Sequence, residues 1–457
     1  MAIGNVLVGQ SGGPTSVINS SLAGIVEAAM KSKGIGRVLG MRFGIEGVLS
    51  DHLVDLGSES PDVLRGLRST PGSALGSSRL KLKDEHFPAI LKQLKKYDIR
   101  HYFMIGGNDT MDTIHRVTKY ANDNGHEMLG VGVPKTVDND LYGTDHTPGY
   151  PSAARFMALS VLQAGILARD MQKVDQFVIF QSVGRSAGWL PAATAMARTS
   201  ELSAPHVLLL PERRFNQAAF LQAVAAAHKK HGFVSIVCGE GVTNEDGSPL
   251  SASQTKDKFG NVEFGAMGGT SAAMLLHHMI ANEFGWRGEF QVSESLPMCA
   301  ADRGTKLDFD EAFACGKQAV KLALRGEGAV MVTMQRTNKP SEPYSIGFGT
   351  ISLSEVANHE RPLPDNFIAK DGFGVTKAFL DYAAPLRRKT GLTPQDNRLE
   401  IFATPSCLRS LRRERRIPWQ FSHQWSRIVN KRRRHAESVF GDEGVGHRTF
   451  VVGDFAE

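Results

Sequence analysis

The chain has 457 residues, 41% of them hydrophobic, enough to build two or three lobes with cores of their own. No run approaches the roughly 18–20 apolar residues of a membrane span, and the opening MAIGNVLVGQ has neither the basic region nor the apolar run of a signal peptide, so a globular, cytoplasmic protein without a membrane partner is expected. The net charge of +6 would suggest an anionic partner if it were evenly spread, but residues 387–457 hold 15 basic against 8 acidic side chains, leaving residues 1–386 near neutral with 38 against 39.

In chain order, residues 5–8 read as a strand running into Gly9-Gln10-Ser11-Gly12-Gly13-Pro14, and residues 17–29 as a helix. Residues 101–105 are a second strand ending in Gly106-Gly107, with a helix from Met111, and residues 128–133 a third ending at Pro134. Alternating strands and helices predict an α/β lobe with a mainly parallel sheet, whose carboxyl-end loops are where such sheets bind ligands. The pattern resumes at 176–180, 207–210 and 234–238, predicting a second α/β lobe. The four cysteines, Cys238, Cys299, Cys315 and Cys407, form no C-x-x-C pair and are expected to be reduced thiols.

Phosphoryl transfer between anions needs backbone donors and cations around the donor phosphates, a metal, and a carboxylate to take the hydroxyl proton. Gly9-Gln10-Ser11-Gly12-Gly13 can bring backbone N–H groups close to phosphate oxygens, although a plain tight turn has the same composition. Gly76-Ser77-Ser78-Arg79-Leu80-Lys81 sets two cations two residues apart, which also suits a solvated loop. Gly106-Gly107-Asn108-Asp109-Thr110 and Pro134-Lys135-Thr136-Val137-Asp138-Asn139-Asp140 both follow apolar strands and both concentrate Asp, Asn and Thr. Such turns occur for structural reasons, but two at equivalent sheet positions, one with a lysine, favour an anionic-ligand site.

These two segments resemble the paired signatures of the phosphofructokinase family. Val183-Gly184-Arg185-Ser186-Ala187-Gly188 resembles its sugar-phosphate loop, and Gly239-Glu240-Gly241 its later acidic sugar contact. The similarity runs in order from about Val6 to Leu386, including Val356-Ala357-Asn358 and Ala378-Phe379-Leu380-Asp381. The resemblance implies a phosphofructokinase-like fold of two Rossmann-like lobes: residues 1–142 with about 296–350 binding the donor, and residues 143–295 with about 351–386 binding the sugar phosphate. It implies Mg²⁺ held by Asn108 and Asp109, with pyrophosphate and fructose 6-phosphate as small-molecule partners and a homodimer or homotetramer as the assembly. Asp138 would be the general base, with Lys135 and Asp109 beside it in the catalytic group. Gly12, Gly13, Arg79, Lys81, Gly107 and Lys135 would bind the donor phosphates. Thr136, Asp138, Asp140, Val183, Gly184, Arg185 and Glu240 would bind the sugar phosphate. A carboxylate among hydroxyl and amide donors is expected to stay ionised near neutral pH.

ATP-using members of the family generally carry glycine where Asp109 and Lys135 stand. Filling both positions obstructs a nucleotide and supplies a cation for the leaving phosphate, so pyrophosphate is the implied donor. The product would be fructose 1,6-bisphosphate, in a reversible step between glycolysis and gluconeogenesis. The alternatives are ATP as donor, sedoheptulose 7-phosphate as acceptor, or a regulatory homologue without activity, against which the intact Asp138, Asp140, Lys135 and Arg185 argue. Two features depart from the family. The arginine usually found near Leu296-Pro297-Met298-Cys299 is absent, Met298 standing near its place, and Gln176 replaces a basic residue that often reaches a neighbouring subunit. Arg303, Arg287 or Lys173 are the candidates to compensate. The other departure is the tail from Arg387, where basic clusters flank Trp419 and Trp425. It reads as a solvated extension or as out-of-frame translation rather than a nucleic-acid contact, and the chemistry does not need it.

Overall fold

The computed structural model describes residues 4–78, 80–198, 200–251, 270–339 and 342–387. Arg79, Cys407 and the basic tail beyond Arg387 therefore lie outside the described residues. The first sheet grows from β1 (Gly4–Gln10), where Val6, Leu7 and Val8 are all buried, as a central strand covered on both faces requires. It leads into α1 (Ile18–Met30), β2 (Ile35–Met41), α2 (Ile45–Leu49), β3 (Leu53–Asp55), α3 (Pro61–Leu67) and α4 (Phe87–Lys96). Then come β4 (Ile99–Gly106), α5 (Asn108–Asp123) and β5 (Leu129–Pro134).

The long helix α6 (Tyr150–Asp170) leads to a second sheet. This comprises β6 (Phe177–Ser182), α7 (Trp189–Ala193), β7 (Val207–Leu209), α8 (Gln217–His231), β8 (Val234–Gly239), α9 (Ala272–Phe284) and β9 (Gly288–Val292). The chain returns to the first sheet through α10 (Lys306–Leu324), β10 (Val330–Arg336) and β11 (Ile346–Ser352), and closes with α11 (Leu353–Asn358) and α12 (Lys377–Ala383).

The large sheet has the order β11-β10-β5-β4-β1-β2-β3, parallel except at its two edge strands, and the small one the order β7-β8-β6-β9, parallel throughout. The expected α/β architecture of two mainly parallel sheets is what the chain adopts. In the large sheet the chain leaves β1 for β2 on one side and leaves β4 for β5 on the other, which opens a crevice at the carboxyl ends of β1 and β4.

Close backbone packing holds the first lobe together. A Cβ on Gly24 of α1 would collide with the carbonyl oxygen of Phe313 on α10, and one on Gly316 of α10 with the carbonyl of Ser21, so the two helices touch where both have only hydrogen. Asp308, fully buried in the first turn of α10, accepts from the backbone N–H groups of Gly149 at 2.8 Å and Ser152 at 3.1 Å, which fixes the start of α6. Among the described residues α6 is the one helix long and apolar enough to cross a membrane, but 56% of that stretch is buried in the protein, as in a core helix.

One boundary differs from the sequence expectation. Helix α5 begins at Asn108, not Met111: Gly107 is its N-cap, and the polar run Asn108-Asp109-Thr110 forms its first turn. Polar side chains are favoured at a helix start, so a run read as loop is helical. After β11 ends at Ser352, α11 still packs on the first lobe. Leu353 and Val356 of α11 pack with Met111 and Ile114 of α5 in one core cluster.

Candidate functional site

In the large sheet β4 lies between β1 and β5, so the loops after these three strands converge. Gly12 has φ of 76°, which a glycine adopts without strain, and its N–H donates to the Ser78 carbonyl at 3.4 Å. The Ser77 hydroxyl donates to the Gly12 carbonyl, so the first glycine loop is laced to the 76–78 loop. Lys135 is buried at the end of β5, and its Nζ donates to the Gly13 carbonyl at 2.7 Å. A Cβ on Gly12 would stand 3.2 Å from that Nζ. The Lys135 N–H donates to the Gly106 carbonyl at 3.1 Å, next to Gly107. Gly12, Gly13, Gly107 and Lys135 thus come together from three segments, Lys135 standing 122 residues beyond Gly13 in sequence. Lys81 lies exposed beyond the 76–78 loop, and Arg79 is outside the described residues.

At the start of α5, Asn108 Oδ1 is buried with no hydrogen-bond partner, and Asp109 beside it is exposed. Two adjacent hard oxygen donors, one of them unused, suit Mg²⁺, which takes one or two protein oxygens and completes its shell with water and phosphate. No group of three His, Cys, Asp or Glu suited to a metal occurs among the described residues, so these two residues would hold the ion together with its phosphates rather than in a protein cage.

The second half of the site is the turn after Lys135. Thr136 Oγ1 accepts from the Asp138 N–H at 3.0 Å, and Asn139, with φ of 58°, turns the chain so that Asp138 and Asp140 flank it. Asp138 Oδ1 is buried and has no hydrogen-bond partner. Facing it from the small sheet is Gly184, with φ of 121°, where a Cβ would lie 3.8 Å from that oxygen. The Gly184 N–H donates to Glu240 Oε1 at 3.2 Å. Gly241 leaves space for the Arg185 carbonyl that any side chain would occupy. Val183 is half-buried, Glu240 buried and Arg185 exposed.

Burial raises the Asp138 carboxyl to about 7, helped by repulsion from Asp140 and Glu240 and opposed by Lys135 and Arg185. That corrects the expectation of a carboxylate ionised throughout the neutral range: the hydroxyl and amide donors that would hold it down do not reach Oδ1. Asp140 is raised by burial and by the nearby Glu360, against its bond to Thr136. Glu240 is raised by burial, against the Gly184 N–H and Arg185.

Met298 packs against the glycine loop, its Sδ 3.4 Å from where a Cβ on Gly13 would be, with the Ser16 hydroxyl donating to its carbonyl at 3.5 Å. Of the residues considered as replacements for the missing arginine, Arg303 donates to Ser160 Oγ at 3.0 Å and Gln163 Oε1 at 3.3 Å on α6. Arg287 pairs with Asp175, Lys173 is exposed, and Gln176 accepts from the Arg287 N–H at 3.1 Å within its own chain. The sequence reading missed Glu360, Arg361 and Tyr382, which the fold brings behind the Asp138 turn. No motif surrounds them; the one local signal was an asparagine between two aspartates.

A phosphofructokinase family profile matches residues 5–294. A pyrophosphate–fructose 6-phosphate 1-phosphotransferase of Halomonas elongata is 37% identical over 425 residues, covering 92% of this chain and 99% of that relative. A sulfofructose kinase of Alkalicoccus urumqiensis is 32% identical over 369 residues, 79% of this chain and 91% of its own. The crystal structure of a pyrophosphate-dependent phosphofructokinase from Nitrosospira multiformis superimposes with a TM-score of 0.81 at 35% identity, covering 90% of this chain and 99% of the other. With a profile spanning more than half its length and relatives this similar across nearly all of theirs, the chain belongs to the phosphofructokinase family.

Proposed function

We propose that the protein transfers a phosphoryl group from inorganic pyrophosphate to the 1-hydroxyl of fructose 6-phosphate, giving fructose 1,6-bisphosphate and phosphate. The observation that carries the reading is the nearness, within the one segment that follows β5, of the buried Lys135 ammonium at the glycine loop and the unpartnered Asp138 Oδ1. The names borne by the 37%-identical relative and by the matched structure agree with it. Asp138 takes the proton of the sugar 1-hydroxyl as that oxygen forms its bond to phosphorus and the bridging P–O bond of the donor breaks. Lys135 neutralises the phosphate that leaves, and Gly12, Gly13 and Gly107 let backbone N–H groups approach its oxygens. A Mg²⁺ bound through Asn108 and Asp109 would supply charge neutralisation between the donor phosphates. Val183, Gly184, Arg185 and Glu240 of the small-sheet lobe hold the sugar phosphate together with Thr136 and Asp140 from the turn after β5, so the large-sheet lobe serves the donor and the acceptor lies between that turn and the small-sheet lobe.

A second reading keeps the donor and changes the acceptor. Met298 carries no charge near the place where the family usually has an arginine, and one relative is a sulfofructose kinase, so sedoheptulose 7-phosphate and sulfofructose are the competitors to test. Purified protein with Mg²⁺ and pyrophosphate, assayed by ³¹P NMR against each acceptor, is expected to give its highest kcat/KM with fructose 6-phosphate. A tenfold preference for either competitor would move the assignment to that sugar.

A further inference from the structure

The turn carrying Asp138 is held from behind by a part of the chain far away in sequence. Asn139 sits in the left-handed region, which an asparagine tolerates but which needs support to persist. Its Nδ2 donates to Tyr382 Oη at 3.1 Å, and its Oδ1 accepts from the Thr147 N–H at 3.0 Å. Tyr382 Oη in turn donates to the Asp145 carbonyl at 2.8 Å and accepts from Arg361 Nη2 at 3.3 Å. The Arg361 backbone N–H donates to the Asp140 carbonyl at 2.8 Å. Its guanidinium reaches the carbonyls of Thr144 at 2.5 Å and Asp145 at 2.6 Å while lying 4.1 Å from the centre of the Trp189 ring.

The same segment also grips the opposing lobe. Glu360 accepts from the Ser186 hydroxyl at 2.8 Å, and Trp189 Nε1 donates to the Arg361 carbonyl at 3.0 Å. Glu212 Oε1 accepts from both the Gly188 and the Leu363 N–H groups at 2.8 Å. Ser186 and Gly188 belong to the loop that carries Gly184 and Arg185. One stretch of chain therefore fastens both loops between which the acceptor would react.

We propose that residues 359–363 and the Tyr382 hydroxyl form a brace that sets the position of the Asp138 carboxylate against the Gly184–Arg185 loop. Arg361 and Tyr382 are positioning residues that act through the turn without touching substrate. The proposal rests on the reading of Asp138 as the base. Asp138 Oδ1 has no hydrogen bond of its own, so the backbone turn is left to aim it, and a displacement of about 1 Å at a reacting group can reduce turnover by on the order of 10²-fold.

Tyr382→Phe is a clean probe, because the ring packs against Trp189, Phe367 and Phe379 and phenylalanine keeps that packing while losing the hydroxyl. In the full-length enzyme, kcat is expected to fall about tenfold or more while KM for pyrophosphate stays within about twofold and the melting temperature holds. The acid limb of the pH profile should also move, since the carboxylate would shift relative to Asp140, Glu240, Lys135 and Arg185. Arg361→Ala should lose more, with partial recovery in Arg361→Lys. A Tyr382→Phe enzyme with kcat within twofold of wild type and an unmoved acid limb overturns the brace, as does a loss confined to KM for pyrophosphate. The assay uses whichever donor the wild type accepts, so a wrong donor assignment and a failed brace give different results. Unchanged turnover in Asp138→Ala would remove the base reading itself.

Discussion

Asp138 can act as a base only when ionised, and burial beside Asp140 and Glu240 sets that threshold at about 7 in the free enzyme. Because the folded site raises this carboxyl, the active form is full above that pH and is lost as pH falls through it. kcat/KM for the sugar should therefore fall tenfold per unit below about 7, reporting the free enzyme. A profile flat down to pH 5 would contradict the assignment. Asp138→Ala should reduce turnover by on the order of 10²-fold or more, with substrate affinity, read by calorimetry, changing much less. The residues proposed to bind the donor were legible in sequence because most of them lie in short polar runs directly after apolar strands. Asn139 was visible in its motif, but its φ and its bond to Tyr382 were not. Hydrogen bonds between segments so far apart leave no local pattern, which is why Arg361 and Glu360 were also missed.

The elements were easiest to read where a strand is a near-continuous apolar run, as in the edge strand β7 as well as in interior ones, while the interior strands β2 and β10 were not read. The strands ending at Gln10, Gly106 and Pro134 gave near-continuous apolar runs. By contrast β9 and β11, at sheet edges with half-exposed residues and interspersed glycines, gave no comparable run. The contact of α1 with α10 was hidden too, since a helical glycine reads as a weak position until a second helix is seen against it. Gly24→Ala tests that contact. On an exposed helix the change would stabilise by about 1 kcal/mol, but here the new methyl group meets a backbone carbonyl that cannot rotate away. A net loss of about 1–3 kcal/mol is expected, seen as a lower urea midpoint. A raised midpoint would mean that the helices separate without penalty.

At the scale of the described molecule, the loops after β5 of the large sheet and β6 of the small one meet where Gly184 faces Asp138, with the glycines proposed to bind phosphate in the large-sheet lobe and the proposed sugar loop in the other. The alternation of strands and helices predicted this architecture, while the return of the chain to the first sheet, which runs through β10 and β11, was implied only by the family resemblance. The central claim is the donor. Asp109 is exposed and Lys135 buried; in the proposed reading the first excludes a nucleotide by bulk and charge while the second anchors a phosphate. The most direct test is kcat/KM for pyrophosphate and for ATP, measured with Mg²⁺ and fructose 6-phosphate in the wild type and in Asp109→Gly. We expect pyrophosphate to be preferred by on the order of tenfold or more in the wild type, about 1.4 kcal/mol, and the gap to narrow in the variant. A wild-type kcat/KM for ATP equal to or above that for pyrophosphate would contradict the account.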